Sequence, residues 1–369
     1  MSVKLITSES VSSGSPDRLA NIICDAILDA CLAQDPNSRT SIECALKGEI
    51  CYIFGEISTT ASINIEHIVK STLIRTGYND PRWLFHPAKI SIMQNLTEQA
   101  PEAIQITKDN PKKADDQGVF FGYAVNNGID ESRLGAAHRL AQNLMTAYDL
   151  ERANNSALGP HAKCQVTMRY DNGAPTTIDS VVLTYLHDAD MKIEDVRDYG
   201  IDFIESNLGA FETFASSGTK LFINSGGTWT VGGPYAKSGI SGRKIIVDTY
   251  GGYARNGGDA LSGKSPDKIG RTAQYIARNL ALNALRYFKI NEVELQLAYL
   301  PGSEYPASMF INDLPTFQIA KFLNSVNIPL SGGEFVDAFR LKTPIYTATS
   351  CFGNFGHEHF PWEKIGERN

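Results

Sequence analysis

One segment restricts the fold more than any other. Residues Lys163–Tyr170 and Thr176–Leu186 read as strands on either side of Asp171-Asn172-Gly173. An Asn-Gly pair supplies the two positive-φ residues of a type I′ turn, so this segment predicts an antiparallel hairpin. A second hairpin is predicted where Ile42, Cys44 and Leu46 alternate, Lys47-Gly48-Glu49 turns, and Cys51 to Ile57 returns. Glu43 then points away from the face of Ile42 and Cys44. Helical spacing predicts helices over Pro16–Ala33, Ile65–Thr76, Ser132–Asp149 and Thr272–Phe288. Ser15 suits the N-cap of the first, with Pro16 at its first position and Asp17 in its first turn; Gly77 suits the C′ position of the second. Strands are predicted at Arg243–Tyr250 and Glu292–Leu300. Hairpins alternating with helices point to α+β with mixed or antiparallel sheets, not a doubly wound parallel sheet. The 369 residues leave room for two or three domains of about 150 each. Gln99–Gln117 is polar, carries Pro101 and Pro111, and is expected to be a long mobile loop of the functional kind.

Composition excludes several classes. The hydrophobic share of 42% is too high for a disordered chain. A net charge of −7 leaves no whole-chain basic footprint for nucleic acid. No apolar run approaches the roughly 18 residues of a membrane span. The beginning of the chain has no signal-peptide core. Six scattered cysteines form no Cys-x-x-Cys pair and suit a reducing compartment. The expectation is a soluble cytoplasmic protein with neither nucleic-acid nor membrane partner.

Chemistry concentrates between Arg243 and Arg271. Six basic residues (Arg243, Lys244, Arg255, Lys264, Lys268, Arg271) stand against Asp248, Asp259 and Asp267, a local balance of 6 − 3 = +3. Gly251, Gly252, Gly257, Gly258 and Gly263 lie among them. Glycines let backbone N–H groups approach an anion while basic side chains neutralise it, so a phosphate site is predicted. Gly258 to Ser265 matches the P-loop pattern by letter, but the predicted strand ends too early and the helix starts too late for a P-loop. By themselves, Asp17 reads as a helix-dipole carboxylate or a Mg²⁺ ligand, Glu43 and Glu56 as exposed strand residues, and Asp116-Gln117-Gly118 as a turn. His357-x-His359 is a weak metal hint, and no serine-hydrolase elbow is present.

Taken together, these stretches resemble the S-adenosylmethionine synthetase (methionine adenosyltransferase) family. The likeness starts at Thr7-Ser-Glu-Ser-Val-Ser with Gly14, Pro16 and Asp17. It runs through Gly55-Glu56, Asp116-Gln117-Gly118, Ala162-Lys163 and Phe222-Ile-Asn to the block Gly242–Gly252, then Ala254-Arg255 and Ser262-Gly263-Lys264, and closes at Phe355–Glu363. It implies three similar α/β-sandwich domains around a pseudo-threefold axis, here taken as 1–100, 113–230 and 231–369, with 99–117 as a gating loop. It implies a homodimer or homotetramer that joins ATP and L-methionine and releases pyrophosphate and phosphate, with Mg²⁺ and K⁺ as cofactors. By matching motif, Asp17 would hold Mg²⁺ and Glu43 K⁺. Glu56 and Gln99 would hold methionine, and Asp116 would lie by the reacting sulfur. Lys163, Arg243, Lys244, Lys264 and Lys268 would line phosphates and substrates, and Trp229 would stack on adenine.

The same resemblance exposes departures. The family has His at Ser15, Lys at Arg18, and Asp at His161, Lys237 and Gly270. The last of these is a metal ligand, and the other two meet substrate. Asp115 stands for a glycine, Asn354 for a histidine and His357 for a basic residue. Losing the three acids shifts the site by +1, +2 and +1, or +4 with His161 neutral. Three readings follow: a divergent synthetase, the same fold with a changed substrate or reaction, or a non-catalytic homologue pairing with an active one. The basic clamp favours the first, with Ser15 and Lys237 still among the substrate contacts. Lys237 and His161 favour the second, and loss of the family His and Asp favours the third.

Overall fold

The computed structural model describes residues 3–101, 105–106 and 109–365. The chain opens with β1 (Val3–Val11), α1 (Pro16–Leu32), the hairpin β2 (Arg39–Lys47) and β3 (Ile50–Ser58), then α2 (Ile65–Arg75) and β4 (Ser91–Thr97). Next come β5 (Gly118–Val125), α3 (Ala136–Asn154), the long hairpin β6 (Leu158–Asp171) and β7 (Ala174–His187), α4 (Ile193–Ser206) and β8 (Lys220–Ile223). The last third holds short α5 (Gly233–Ala236), β9 (Gly239–Ile240), α6 (Ile245–Asp248), the long α7 (Ile269–Phe288), β10 (Glu292–Tyr299), β11 (Ser308–Ile311), α8 (Thr316–Ser325), α9 (Gly332–Ala338) and α10 (Tyr346–Phe352).

Three sheets result, with orders β1-β6-β7-β8, β4-β3-β2-β9 and β11-β10-β5. Both predicted hairpins form. Asp171 pairs with Ala174 around Asn172 (φ 52°) and Gly173 (φ 87°), the two positive values a type I′ turn requires. The sheets are mixed because β4 joins β3, and β8 joins β7, in parallel.

Each sheet buries one face under a helix, giving three α+β domains. Leu19, Ile23 and Ile27 of α1 pack on Ile42, Cys44 and Ile53. Leu140, Leu144 and Met145 of α3 pack on Val166, Met168 and Val181. Ile276, Leu280 and Ala281 of α7 pack on Phe120, Leu295 and Leu297. The chain leaves each sheet and returns: β1 pairs with β6, β5 with β10, and β9 with β2. Five of the cysteines are buried, Cys351 is half-buried, and all six are free thiols.

The structure corrects four expectations. The predicted strand Arg243–Tyr250 is instead the turn of α6 and its flanks. Its β-branched run suggested extension, but Gly242, Gly251 and Gly252 all take positive φ, Ile246 faces solvent, and Asp248 is pulled inward by Arg18 and Asn21. The third helix starts at Ala136, because Asp130 first collects the amide and hydroxyl of Ser132 into a turn. Ser15 holds the N-cap position of α1, yet its hydroxyl makes no capping bond. In the expected loop, Pro101, Gln105, Ile106 and Asp109 have helical backbone; residues 102–104 and 107–108 of that stretch lie outside the described residues.

Candidate functional site

Strand β2 is the spine of the site. Ala45 and Leu46 pair with Ile240 and Gly239. One residue earlier, the Cys44 amide donates to Ser241 Oγ, and that hydroxyl donates to the Glu43 carboxylate. Earlier still, Ser41 bridges to Lys264, and the Ile42 amide donates to the Gly263 carbonyl at 3.0 Å. The glycine-rich segment is therefore laid along one sheet edge, which orders its basic residues into two groups.

The first group runs from Trp229 to Asp17. The His161 ring lies edge-on to the Trp229 ring at 4.7 Å, and Lys237 Nζ sits 5.7 Å from that ring's centre. Lys163 is on β6, opposite Val11, close enough to Lys237 and Lys244 that burial and their charges lower its pKa. Lys244 Nζ pairs with Glu9 at 2.6 Å. Arg243 lies 3.6 Å from Asp17, whose Oδ1 also accepts the Ile240 amide at 3.0 Å. Among the described residues neither Lys163 nor Lys237 is ion-paired, so this wall carries unspent positive charge.

His161 is fully buried. Burial, then Lys163, Lys237 and Lys244, push its pKa down to about 3. The ring is neutral, and Nδ1 accepts the Gly233 amide at 3.1 Å. Its proton therefore belongs on Nε2, which has no partner among the described residues. The side chain offers a donor where a carboxylate would offer acceptors.

The second group gathers at the start of α7. Lys268 pairs with Asp115 at 3.2 Å, and Asp115 Oδ1 accepts the Ile269 amide at 2.8 Å. Lys264 pairs closely with Asp259. Asp116, next to Asp115, is exposed and accepts the neighbouring Gln117 amide. Glu56 faces Ser41 across the β2–β3 ladder, one strand from the Ser41–Lys264 bridge. Gln99 is buried, its Oε1 has no partner among the described residues, and its backbone amide donates to Ser58 Oγ. Ser15 is buried beside Asp17 and joins neither group.

Two of the six basic residues leave the clamp. Arg271 is completely buried against Asp25, and Arg255 is held by Glu294. The P-loop match fails in three dimensions as well: the Gly263 amide donates to the Asp25 carboxylate, so it is not free for phosphate.

Family models match nearly the whole chain. The S-adenosylmethionine synthetase N-terminal domain matches residues 3–101, the central domain 111–229 and the C-terminal domain 231–364. The chain belongs to the S-adenosylmethionine synthetase family. Members of this family bind ATP and methionine and are transferases.

Several positions that shape this synthetase site escaped sequence reasoning. Glu9 lies in the first family motif, but nothing in the sequence paired it with Lys244, and Asp25 carries no motif of its own. Asp25 did leave a trace, since a carboxylate beside Ile22, Ile23 and Ile27 on a buried helix face needs a partner. Asp259 counted only as a charge until the fold set it against Lys264.

The magnesium expected of a synthetase is compatible with this donor set in one way only. Among the described residues no three His, Cys, Asp or Glu side chains converge into a cation cage. Mg²⁺ suits that arrangement when it arrives on polyphosphate, because it then needs only one or two protein carboxylates. Asp17 meets the requirement: its Oδ1 is engaged by Ile240, and no bond to its Oδ2 is found among the described residues. No helix among the described residues is long and apolar enough to cross a membrane.

Proposed function

We propose that this chain is a divergent methionine adenosyltransferase acting in the cytoplasm as a homodimer or homotetramer. It joins ATP and L-methionine into S-adenosylmethionine and releases phosphate and pyrophosphate. The observation that carries this reading is Lys237 beside the Trp229 indole, with Lys163, Lys244 and Arg243 continuing the positive charge toward Asp17. A nucleoside polyphosphate needs both an aromatic face and concentrated positive charge.

In the reaction, the methionine sulfur attacks C5′ of ATP. The C5′–O bond breaks, its electron pair leaves on tripolyphosphate, and a sulfonium forms. Water then cleaves the tripolyphosphate. About four negative charges depart together, so preorganised cations lower the barrier most. Lys163, Arg243 and Lys244 hold the phosphates, Lys264 and Lys268 meet them from the α7 side, and Trp229 stacks on adenine. Glu56 and Gln99 hold methionine, with Gln99 Oε1, unpartnered among the described residues, ready to accept its ammonium. Asp116 stands by the sulfur. Mg²⁺ at Asp17 neutralises developing charge when bound, and Glu43 is the carboxylate for K⁺.

A second reading, a changed substrate, is favoured by His161 Nε2 and Lys237. Both are donors in the first group, and together they favour a ligand bearing acceptors or negative charge there.

Incubation of the pure protein with ATP, L-methionine, Mg²⁺ and K⁺, followed by mass spectrometry and phosphate analysis, tests the proposal. S-adenosylmethionine with pyrophosphate and phosphate supports it. Intact ATP and methionine, with nucleotide still bound, overturns it in favour of the second reading or a regulatory subunit paired with an active synthetase.

A further inference from the structure

Position 270 carries no side chain, yet the space beside it is not empty. A Cβ built on Gly270 would collide with the Asp259 carboxylate and lie 3.0 Å from Lys264 Nζ. Asp259 reaches from the glycine loop into the volume that a side chain at 270 would fill. Its placement is built in. Gln274 Nε2 donates to the Asp259 carbonyl at 3.0 Å and to the Gly270 carbonyl at 3.2 Å, tying the loop to the first turn of α7. Gly257 lies against the Val119 carbonyl, where no Cβ fits, and Gly258 bends the chain at φ 76°. The Asp259 side chain stays 44% exposed, so an incoming ligand can reach it.

We propose that Asp259 replaces the missing side chain at 270 as the carboxylate facing a divalent cation carried on polyphosphate. The proposal rests on the reading of this cleft as a metal–polyphosphate site. The chemistry is paired: Lys264 turns from Asp259 to a phosphate oxygen while Asp259 turns to the metal, so neither charge is stranded. Three acids are then not simply lost from the site, because one has moved eleven residues along the chain while serving the same space.

The test uses the full-length protein and a non-hydrolysable ATP analogue, adenylyl imidodiphosphate, titrated by calorimetry with and without Mg²⁺. Wild type is expected to bind more tightly with Mg²⁺. D259N should lose about tenfold or more of that gain, the size of loss seen when a metal site is disturbed. G270D alone should lose it too, because the new side chain collides with Asp259. D259G/G270D should recover it, because the carboxylate returns from the other side. If D259N keeps the full Mg²⁺ gain, or binds the analogue more tightly without Mg²⁺, Asp259 is only a plug on Lys264 and the proposal is overturned. If wild type gains nothing from Mg²⁺, the metal–polyphosphate reading falls and takes the proposal with it.

Discussion

Arg271 of α7 and Asp25 of α1 form a two-pronged ion pair, Nη1 to Oδ1 at 2.7 Å and Nη2 to Oδ2 at 3.2 Å, with neither side chain exposed. Asp25 Oδ1 also accepts the Gly263 amide at 2.9 Å, and Arg271 Nη1 donates to the Lys264 carbonyl at 2.8 Å. The Tyr346 ring lies 4.0 Å from the guanidinium. One pair thus joins the first helix, the glycine loop and the long C-terminal helix. The extra hydrogen bonds offset the cost of burying both charges.

Breaking that pair from one side should be costly. Asp25→Ala leaves a buried guanidinium unpaired and is expected to destabilise by about 3–5 kcal/mol. Denaturant unfolding measures it. The double variant D25A/R271M should lose clearly less than the sum of the two single changes, because it strands no charge.

Two glycines of the loop should respond differently. Gly258 has φ 76° and nothing within 4 Å of a built Cβ, so Gly258→Ala costs only the left-handed penalty, about 1–2 kcal/mol. Gly263 has φ 86°, and its Cβ would collide with the Ile42 carbonyl. Gly263→Ala should lose more than that and shift Lys264. Paired denaturation curves check the order, and equal losses would contradict it.

Acid should unfold the protein partly through His161. Its folded pKa of about 3 lies below the ordinary 6.5, so between those values the unfolded chain binds one more proton. This stability is present above pH 6.5 and declines as pH falls toward 3, by up to about 1.4 kcal/mol per pH unit. His161→Asn should flatten the curve of stability against pH by about one proton across that window. An unchanged slope would count against a neutral buried ring.

Trp229→Ala should weaken nucleotide binding about tenfold to a hundredfold, the range for losing one base-stacking partner worth 1–3 kcal/mol. Trp229→Phe should lose much less. Fluorescence or calorimetric titration with the same ATP analogue measures both, and equal binding by all three proteins would remove Trp229 from the site.

The local pieces were legible in the residue order because they depend on near neighbours. Asn172-Gly173 dictated a type I′ turn, the spacing of Leu19, Ile23 and Ile27 dictated α1, and the long motifs gave the family. Arg243–Tyr250 was misread because β-branched residues favour extension only when a partner strand accepts them, and here the glycines and the pull of Arg18 on Asp248 prevail. The composition counted six basic residues together, and only packing separated the fully buried Arg271 from the half-buried Lys264. The sequence by itself determined which elements form and which charges are available. Tertiary structure alone decided which charges meet, because Asp25 and Arg271, or His161 and Trp229, are distant in sequence and are brought together only by the packing of helices and sheets.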